Sequence, residues 1–261
     1  MSKSYVPWTQ LKVSDIMFSL GLDRQNKTTI NMMLSPNCTQ VAMVTPACVT
    51  NWPRVTGDGN YGTMWGPSDV TKAKYTLDLT DGTINGEENL KFVSFNETLD
   101  AIDEKLLDFV HNNQLKILGR KNLSREEVAI LQFRSVRPKY DKLSGQQVGK
   151  SIQLSTTKFA FDGMGGKYER FIGVCDPNGN IITGGNVTPG DVVAATIYAN
   201  LVYCGVGGDK FGIHWGFEDV SVICQRSKLD IKHQVPVFAT QQYDFTQEYC
   251  HADTVREFSN V

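Results

Sequence analysis

The glycine-rich stretch GDGNYG at residues 57–62 has the G-x-G-x-x-G spacing with which many proteins bind dinucleotide phosphates. In those proteins a helix begins at the last glycine, because the helix N-terminus binds the pyrophosphate. Here Gly66 and Pro67 follow closely and disfavour a helix, and the next regular pattern, KYTLDL at 74–79, alternates as a strand does. We therefore predict an exposed loop, and no nucleotide cofactor.

Aromatic and basic side chains surround this loop. They are Trp52, Arg54, Tyr61, Trp65, Lys72 and Lys74. Unpaired bases stack on aromatic rings, which contributes roughly 1–3 kcal/mol per base, and phosphates attract cations. The pattern is typical of a single-stranded nucleic-acid interface. The alternative is that the tryptophans are core residues beneath a turn, since tryptophan is usually largely buried.

Residues suited to catalysis or metal binding do not cluster in the sequence. The four histidines are not near a nucleophile motif, and the six cysteines lack zinc-ligand spacing, so we expect reduced thiols. Asp100, Asp103, Glu104 and Asp108 are predicted to lie on a solvated helix face. We expect no enzyme activity, no metal and no cofactor.

Two helices and a series of strands are predicted. Leu99, Ile102, Leu106 and Phe109 recur at helical spacing within 95–110, where Asn96 is the predicted N-cap. A second helix over 124–133 is predicted from a capping box of Ser124 and Glu127. Alternating segments then predict strands over 150–161, 170–176, 191–206 and 210–225, which indicate a sheet that closes on itself.

Charge is nearly balanced over the 261 residues, with a formal net charge of −2. This excludes a uniformly basic surface but allows a local basic groove. The segment 116–142 carries eight cations against three carboxylates. It is either a solvated face or an extension of a groove that binds phosphates. Because the chain lacks a signal-peptide pattern and a long apolar stretch, we expect an intracellular protein with no membrane partner.

The order of several segments carries a resemblance. The segments are WPRV (52–55), KAKYTLDL (72–79), FNETLDAIDEKLLDF (95–109), CDPNGNII (175–182), PGDVVAATIYANLVY (189–203) and GGDKFGIHWGFEDVSVI (207–223). From about residue 50 to residue 225, this order resembles that of the OB-fold single-stranded DNA-binding proteins of tailed phages and large DNA viruses.

The resemblance implies an α+β, mainly β fold: an OB-fold-like, closed or partly open β-barrel with a helical insertion near 95–140. We expect one nucleic-acid-binding domain over 1–240, and a mobile, mildly acidic tail over 241–261, where periodicity is lost and carboxylates outnumber cations. The implied activity is sequence-independent binding of single-stranded DNA in viral replication or recombination, without catalysis. The expected binding residues are Trp52, Arg54, Tyr61, Trp65, Lys72, Lys74, Tyr75, Tyr203, Lys210, Phe211 and Trp215.

Further partners follow from the same resemblance. The tail over 241–261 could mask the DNA groove or recruit replication proteins, and a homo-oligomer is left open. The alternative function is that of a viral structural or scaffold β-protein that assembles through protein contacts. Binding to single-stranded DNA that weakens steeply with salt would distinguish the first function from salt-insensitive self-assembly.

Overall fold

A large β-sheet dominates the structure, a computed structural model. The structure describes residues 3–22, 26–50, 72–79, 90–140, 143–157, 159–161, 167–169, 173–175, 192–204 and 210–224. The strands within these ranges are β1 (Lys3–Pro7), β2 (Ile16–Leu22), β3 (Thr28–Leu34), β4 (Thr39–Val44), β5 (Cys48–Thr50), β6 (Lys72–Asp78), β7 (Gln132–Phe133), β8 (Val136–Tyr140), β9 (Gln147–Thr157), β10 (Phe159–Phe161), β11 (Lys167–Glu169), β12 (Gly173–Cys175), β13 (Val192–Cys204) and β14 (Phe211–Cys224). Strands β10 and β11 pair with each other, and the other 12 described strands form the large sheet.

Five of these strands form a ring of pairings. Strand β5 pairs with β6, β6 with β9, β9 with β14, β14 with β13, and β13 with β5. If the five strands are numbered 1 to 5 in chain order, their order around the ring is 1-2-3-5-4. Every pairing in the ring is antiparallel except that of β9 with β14, which is parallel. The OB fold is likewise built from five strands in a Greek-key arrangement. The predicted α+β, mainly β, OB-fold-like class is confirmed.

Three helices are inserted between β6 and β7. They are α1 (Leu90–Asn112), α2 (Gln114–Leu118) and α3 (Arg125–Ile130). Two short 3-10 helices, Trp8–Gln10 and Val13–Asp15, precede β2. The prediction of a helical insertion in a mainly β fold is therefore confirmed.

Helix α1 covers the ring with one apolar face. Phe95, Leu99, Ile102 and Leu106 recur at spacings of three and four residues, and each is fully buried. This face belongs to the same hydrophobic core as Trp215 of β14. Burial of such side chains contributes roughly 1.5–3 kcal/mol each, so α1 is held mainly by tertiary packing.

The helix boundaries differ from the predictions. Helix α1 begins at Leu90, so the predicted N-cap Asn96 lies inside it, where its Nδ2 donates to the Leu79 carbonyl over 3.5 Å. The capping box of α3 is confirmed, with Glu127 N donating to Ser124 Oγ and Ser124 N donating to Glu127 Oε2. However, α3 ends at Ile130 and not at residue 133, because residues 132 and 133 pair with β14.

One carboxylate on the acidic face of α1 is buried, contrary to the prediction that all four are solvated. Asp103 was predicted to be solvated with its neighbours, but its side chain is fully buried. The backbone N–H and the hydroxyl of Ser135 both donate to it, over 2.6 Å and 2.8 Å. The segment after α3 therefore covers this position, a long-range contact that helix periodicity does not reveal.

Among the described residues, no helix has the length and apolar character needed to cross a membrane. Cys38, Cys48 and Cys204 are free thiols.

Candidate nucleic-acid interface

The second and third strands of the ring, β6 and β9, present one face to the core and one face outward. Leu77 of β6 and Ile152 and Leu154 of β9 are buried on the inner face. Thr76 of β6 pairs with Gln153 of β9, and Gln153 is exposed. In OB folds the face of these two strands, together with the loops after the first and fourth strands, binds oligonucleotides.

The outward-facing surface of β6 and β9 continues onto β14. His214 Nε2 lies 2.5 Å from Ser155 Oγ, so an imidazole and a hydroxyl join the two strands by a hydrogen bond. We use the name outer strand face for Thr76, Gln153, Ser155 and His214. All four side chains are polar, but Ser155 is only 3% exposed and Thr76 and His214 are half-buried, so Gln153 is the exposed member of this face.

Three predicted binding residues lie in β6 beside this face. In the strand register Lys72, Lys74 and Tyr75 pair with Thr157, Ser155 and Leu154 of β9. Lys72 and Lys74 alternate in phase with Thr76, whereas Tyr75 is in phase with the buried Leu77. The side chains at 72, 74 and 75 lie outside the described part of the structure.

Four other predicted residues fall on the connection between β5 and β6. Trp52, Arg54, Tyr61 and Trp65 all lie outside the described residues. Their place in the chain is the connection between the first and second ring strands. Tyr203 lies in β13, where its backbone pairs with that of Gly212 near the connection from β13 to β14. Its side chain is also outside the described part.

The assignment of Phe211 and Trp215 to the binding interface is wrong, because both side chains are buried. Phe211 is 0% exposed and Trp215 is 2% exposed, so neither ring presents a face on which a base could stack. Both share the inward phase of β14 with the buried Phe217. The alternation of apolar residues in FGIHWGF carries this signal, which the site prediction overlooked.

Trp215 belongs instead to a buried hydrogen-bond network with Ser135 and Asp103. Its Nε1 donates to Ser135 Oγ over 2.8 Å, and the Ser135 hydroxyl donates to Asp103. Burial raises the pKa of Asp103 from 3.8 to about 6, although the hydrogen bonds from Ser135 and the charge of Arg134 act in the opposite direction. The network connects α1 to β14 through the segment that follows α3.

Several cations of the basic segment 116–142 are neutralised by carboxylates. Arg125 forms ion pairs with Glu104 and Asp108, at 2.5 Å and 2.8 Å. Arg134 lies 2.6 Å from Glu104, and these two arginines hold the pKa of the Glu104 carboxyl below its usual range. These pairs connect the segment to α1, and they reduce the charge available to a phosphate.

Lys139 is neutralised in the same way, because its Nζ contacts the Asp78 carboxylate of β6. Arg125 and Arg134 are paired with carboxylates of α1, and Lys139 is paired with a carboxylate of β6. These three cations therefore give no support to the hypothesis that the segment extends a phosphate-binding groove.

Two other cations lie beside an aromatic ring. Lys210 Nζ is 4.8 Å, and the Arg137 guanidinium carbon is 5.8 Å, from the ring centroid of Phe133. Both distances fall within the range of cation–π attraction. Lys210 was predicted as a binding residue, whereas Phe133 and Arg137 were not. The sequence QFRSVRPK carries the same mixture of aromatic and basic residues as the glycine-rich loop.

Within the described ranges, no group of three or more histidine, cysteine or carboxylate side chains is arranged to hold a metal ion. Burial raises the pKa of the Cys48 thiol and of the Cys204 thiol, which favours their protonated, unreactive forms.

Comparison with known proteins gives structural matches only. No protein-family model matches the chain, and no curated protein matches it. Gp2.5, a single-stranded DNA-binding protein encoded by bacteriophage T7, matches with a TM-score of 0.49 and 8% identity, over 76% of this chain and 96% of that chain. The single-stranded DNA-binding protein from bacteriophage Enc34, in complex with single-stranded DNA, matches with a TM-score of 0.34 and 9% identity, over 80% and 97%. Both proteins are of the class that the sequence resembles.

Proposed function

We propose that this protein binds single-stranded DNA without catalysing a reaction on it. The observation that carries the proposal is the outer strand face, which lies on the second and third strands of an OB-like ring and continues to the fifth, β14, at His214. This is the face with which OB folds bind oligonucleotides. Two exposed cations lie beside it: Arg137 donates to Gln153 of this face, and Lys210 lies beside the same Phe133 ring as Arg137.

The order of the ring strands also explains how residues far apart in sequence could serve one strand of DNA. The β5–β6 connection leads into Lys72, which pairs with Thr157 of β9. Lys210 precedes the start of β14, which runs parallel to β9. The two connections therefore leave opposite ends of the outer strand face. A strand of DNA that follows this face would meet both.

The proposed contacts are of two kinds. Trp52, Tyr61 and Trp65 would stack on bases, while Arg54, Lys72 and Lys74 would contact phosphates. Tyr75 and Tyr203 remain further candidates for base contacts. Since stacking and phosphate contacts are available to every nucleotide, we expect little dependence on base sequence.

The biological role is part of the same proposal. We place the protein in viral DNA replication or recombination inside the host cell. The domain would span residues 1–240, and the tail over 241–261 would mask the interface or recruit replication proteins. If the tail masks the interface, a chain that ends at residue 240 should bind DNA more tightly than the full chain.

Tryptophan fluorescence tests the proposal, because two of the four tryptophans, Trp8 and Trp215, pack against other parts of the described structure. Trp215 is buried, and Trp8 packs edge-on against Phe95 with 5.7 Å between ring centroids. A dT oligonucleotide should therefore quench the emission of Trp52 and Trp65. The double substitution W52F/W65F should abolish the quenching, whereas the control W8F should retain it.

Two results would count against this function. The absence of any binding to the oligonucleotide at low salt would overturn it. Full quenching in W52F/W65F would instead show that the stacking residues lie elsewhere on the protein.

A further inference from the structure

We propose that Phe133, Arg137 and Lys210 form a phosphate-binding cluster that contacts the backbone of single-stranded DNA at one end of the outer strand face. This inference rests on the proposed function and adds to it residues that lie in the inserted segment between the second and third ring strands. The ligand chemistry is a phosphodiester, recognised by two cations on one aromatic support.

The geometry places two positive charges close together at the surface. Because both cations lie beside the same ring, at 4.8 Å and 5.8 Å, they are at most 10.6 Å apart. The side chains of Arg137 and Lys210 are exposed, and Phe133 is 42% exposed. A phosphate can therefore reach either cation without displacing the core.

Arg137 and Lys210 differ from the neutralised cations of the same region. Neither forms an ion pair with a carboxylate within the described part of the chain, whereas Arg125, Arg134 and Lys139 all do. Arg137 donates to the neutral amide oxygen of Gln153 over 3.1 Å. Among the residues that the structure describes, the positive charge at this position is therefore not neutralised by a carboxylate.

The cluster is continuous with the outer strand face. Gln153, which accepts from Arg137, is a member of that face and pairs with Thr76 of β6. A DNA strand that lies across β6 and β9 therefore meets Arg137 next. This continuity favours DNA already bound to the face over a separate acidic partner.

The aromatic side chain that supports the two cations, Phe133, is itself fixed by strand pairing. The backbone of Phe133 pairs with that of Gly212 in β14, and a Cβ atom at position 212 would lie 2.5 Å from the Phe133 carbonyl oxygen. Only glycine allows this close approach. Phe133 is thus a positioning residue: its backbone in β7 is fixed by pairing with β14, and its side chain limits the freedom of two long cationic side chains.

The salt dependence of DNA binding tests the cluster. Each phosphate contact to single-stranded DNA contributes about 0.7 to the slope of log K against log salt, or roughly fivefold in affinity at about 0.1 M salt. The double substitution R137Q/K210Q should therefore lower affinity for a dT oligonucleotide by roughly 25-fold. It should also reduce the slope by about 1.4.

Two further variants separate position from charge. Arg125→Gln removes a cation that carboxylates already neutralise, so its slope and affinity should match those of the wild type. Phe133→Leu keeps both charges but removes the aromatic support, and it should lower affinity about two- to fivefold. Thermal unfolding by circular dichroism establishes that each variant is folded before titration.

The outcomes distinguish this inference from the proposed function. If the wild type fails to bind the oligonucleotide, the proposed function is overturned and the cluster with it. If the wild type binds and R137Q/K210Q keeps the wild-type slope, only the cluster is overturned. An equal loss of slope in Arg125→Gln would also contradict it, because the effect would then reflect overall charge.

Discussion

Replacing Asp103 with asparagine should remove a loss of stability that the wild type undergoes between about pH 4 and pH 7. The carboxyl is buried, and its pKa is raised to about 6. Asparagine has the same shape and is neutral at every pH. Its amide oxygen can accept from the Ser135 backbone, and its amide nitrogen can donate to the Ser135 hydroxyl oxygen, so the buried contacts can be retained in a rearranged form.

The sign of the effect follows from proton binding. A raised pKa means that the folded state binds the Asp103 proton more tightly than the unfolded state does. The resulting stabilisation is complete below the ordinary pKa of 3.8 and is lost as the pH rises through about 6. A difference of about two pKa units corresponds to roughly 3 kcal/mol. Relative to the wild type, D103N should therefore gain roughly 3 kcal/mol of unfolding free energy between pH 4 and pH 7.

Urea denaturation of both proteins at several pH values measures this quantity. Trp215, which is linked to Asp103 through Ser135, provides the fluorescence signal. Subtraction of the two curves removes the contributions of other carboxyls, such as Glu104, whose pKa is lowered. A difference that does not change with pH would refute the reasoning. A difference that moves in favour of the wild type as pH rises would mean that Ser135 and Arg134 outweigh burial.

Four further substitutions, at three positions, test the packing and capping of the same region. Ser135→Ala leaves the Trp215 N–H buried without its partner and should destabilise the protein by about 1–3 kcal/mol in urea denaturation. Ser124→Ala removes the capping box of α3 and should cost about 1 kcal/mol, whereas Ser124→Gly should cost only a few tenths, as thermal unfolding would show. Leu99→Ala opens a cavity beneath α1 and should cost about 2–5 kcal/mol in urea; a loss under 1 kcal/mol would contradict its burial.

Local signals in the sequence predicted the elements better than their ends. The apolar stripe of α1 and the capping box of α3 depend on neighbours three or four residues apart, so they could be identified without tertiary structure. The start of α1 could not, because Asn96 lies within the helix and contacts Leu79, which is 17 positions away. The buried state of Asp103 likewise depends on Ser135, 32 positions away.

The candidate site shows the same limit more clearly. Phe133 and Lys210 are 77 positions apart and meet only because β7 pairs with β14. Composition indicated a basic segment, but it could not show which cations α1 neutralises. Trp215 was assigned to the interface for its residue type, whereas strand alternation places it inside. Residue type identified the interface chemistry, and the strand pairings decided which side chains could take part.

The most direct test of the central claim is the affinity for a fluorescently labelled dT oligonucleotide, measured by anisotropy at several salt concentrations. We predict binding at low salt that weakens steeply as salt rises, with similar affinities for mixed-sequence oligonucleotides. Absence of binding at low salt, together with self-assembly in light scattering that is insensitive to salt, would contradict the claim. That result would favour a structural protein that assembles through protein contacts.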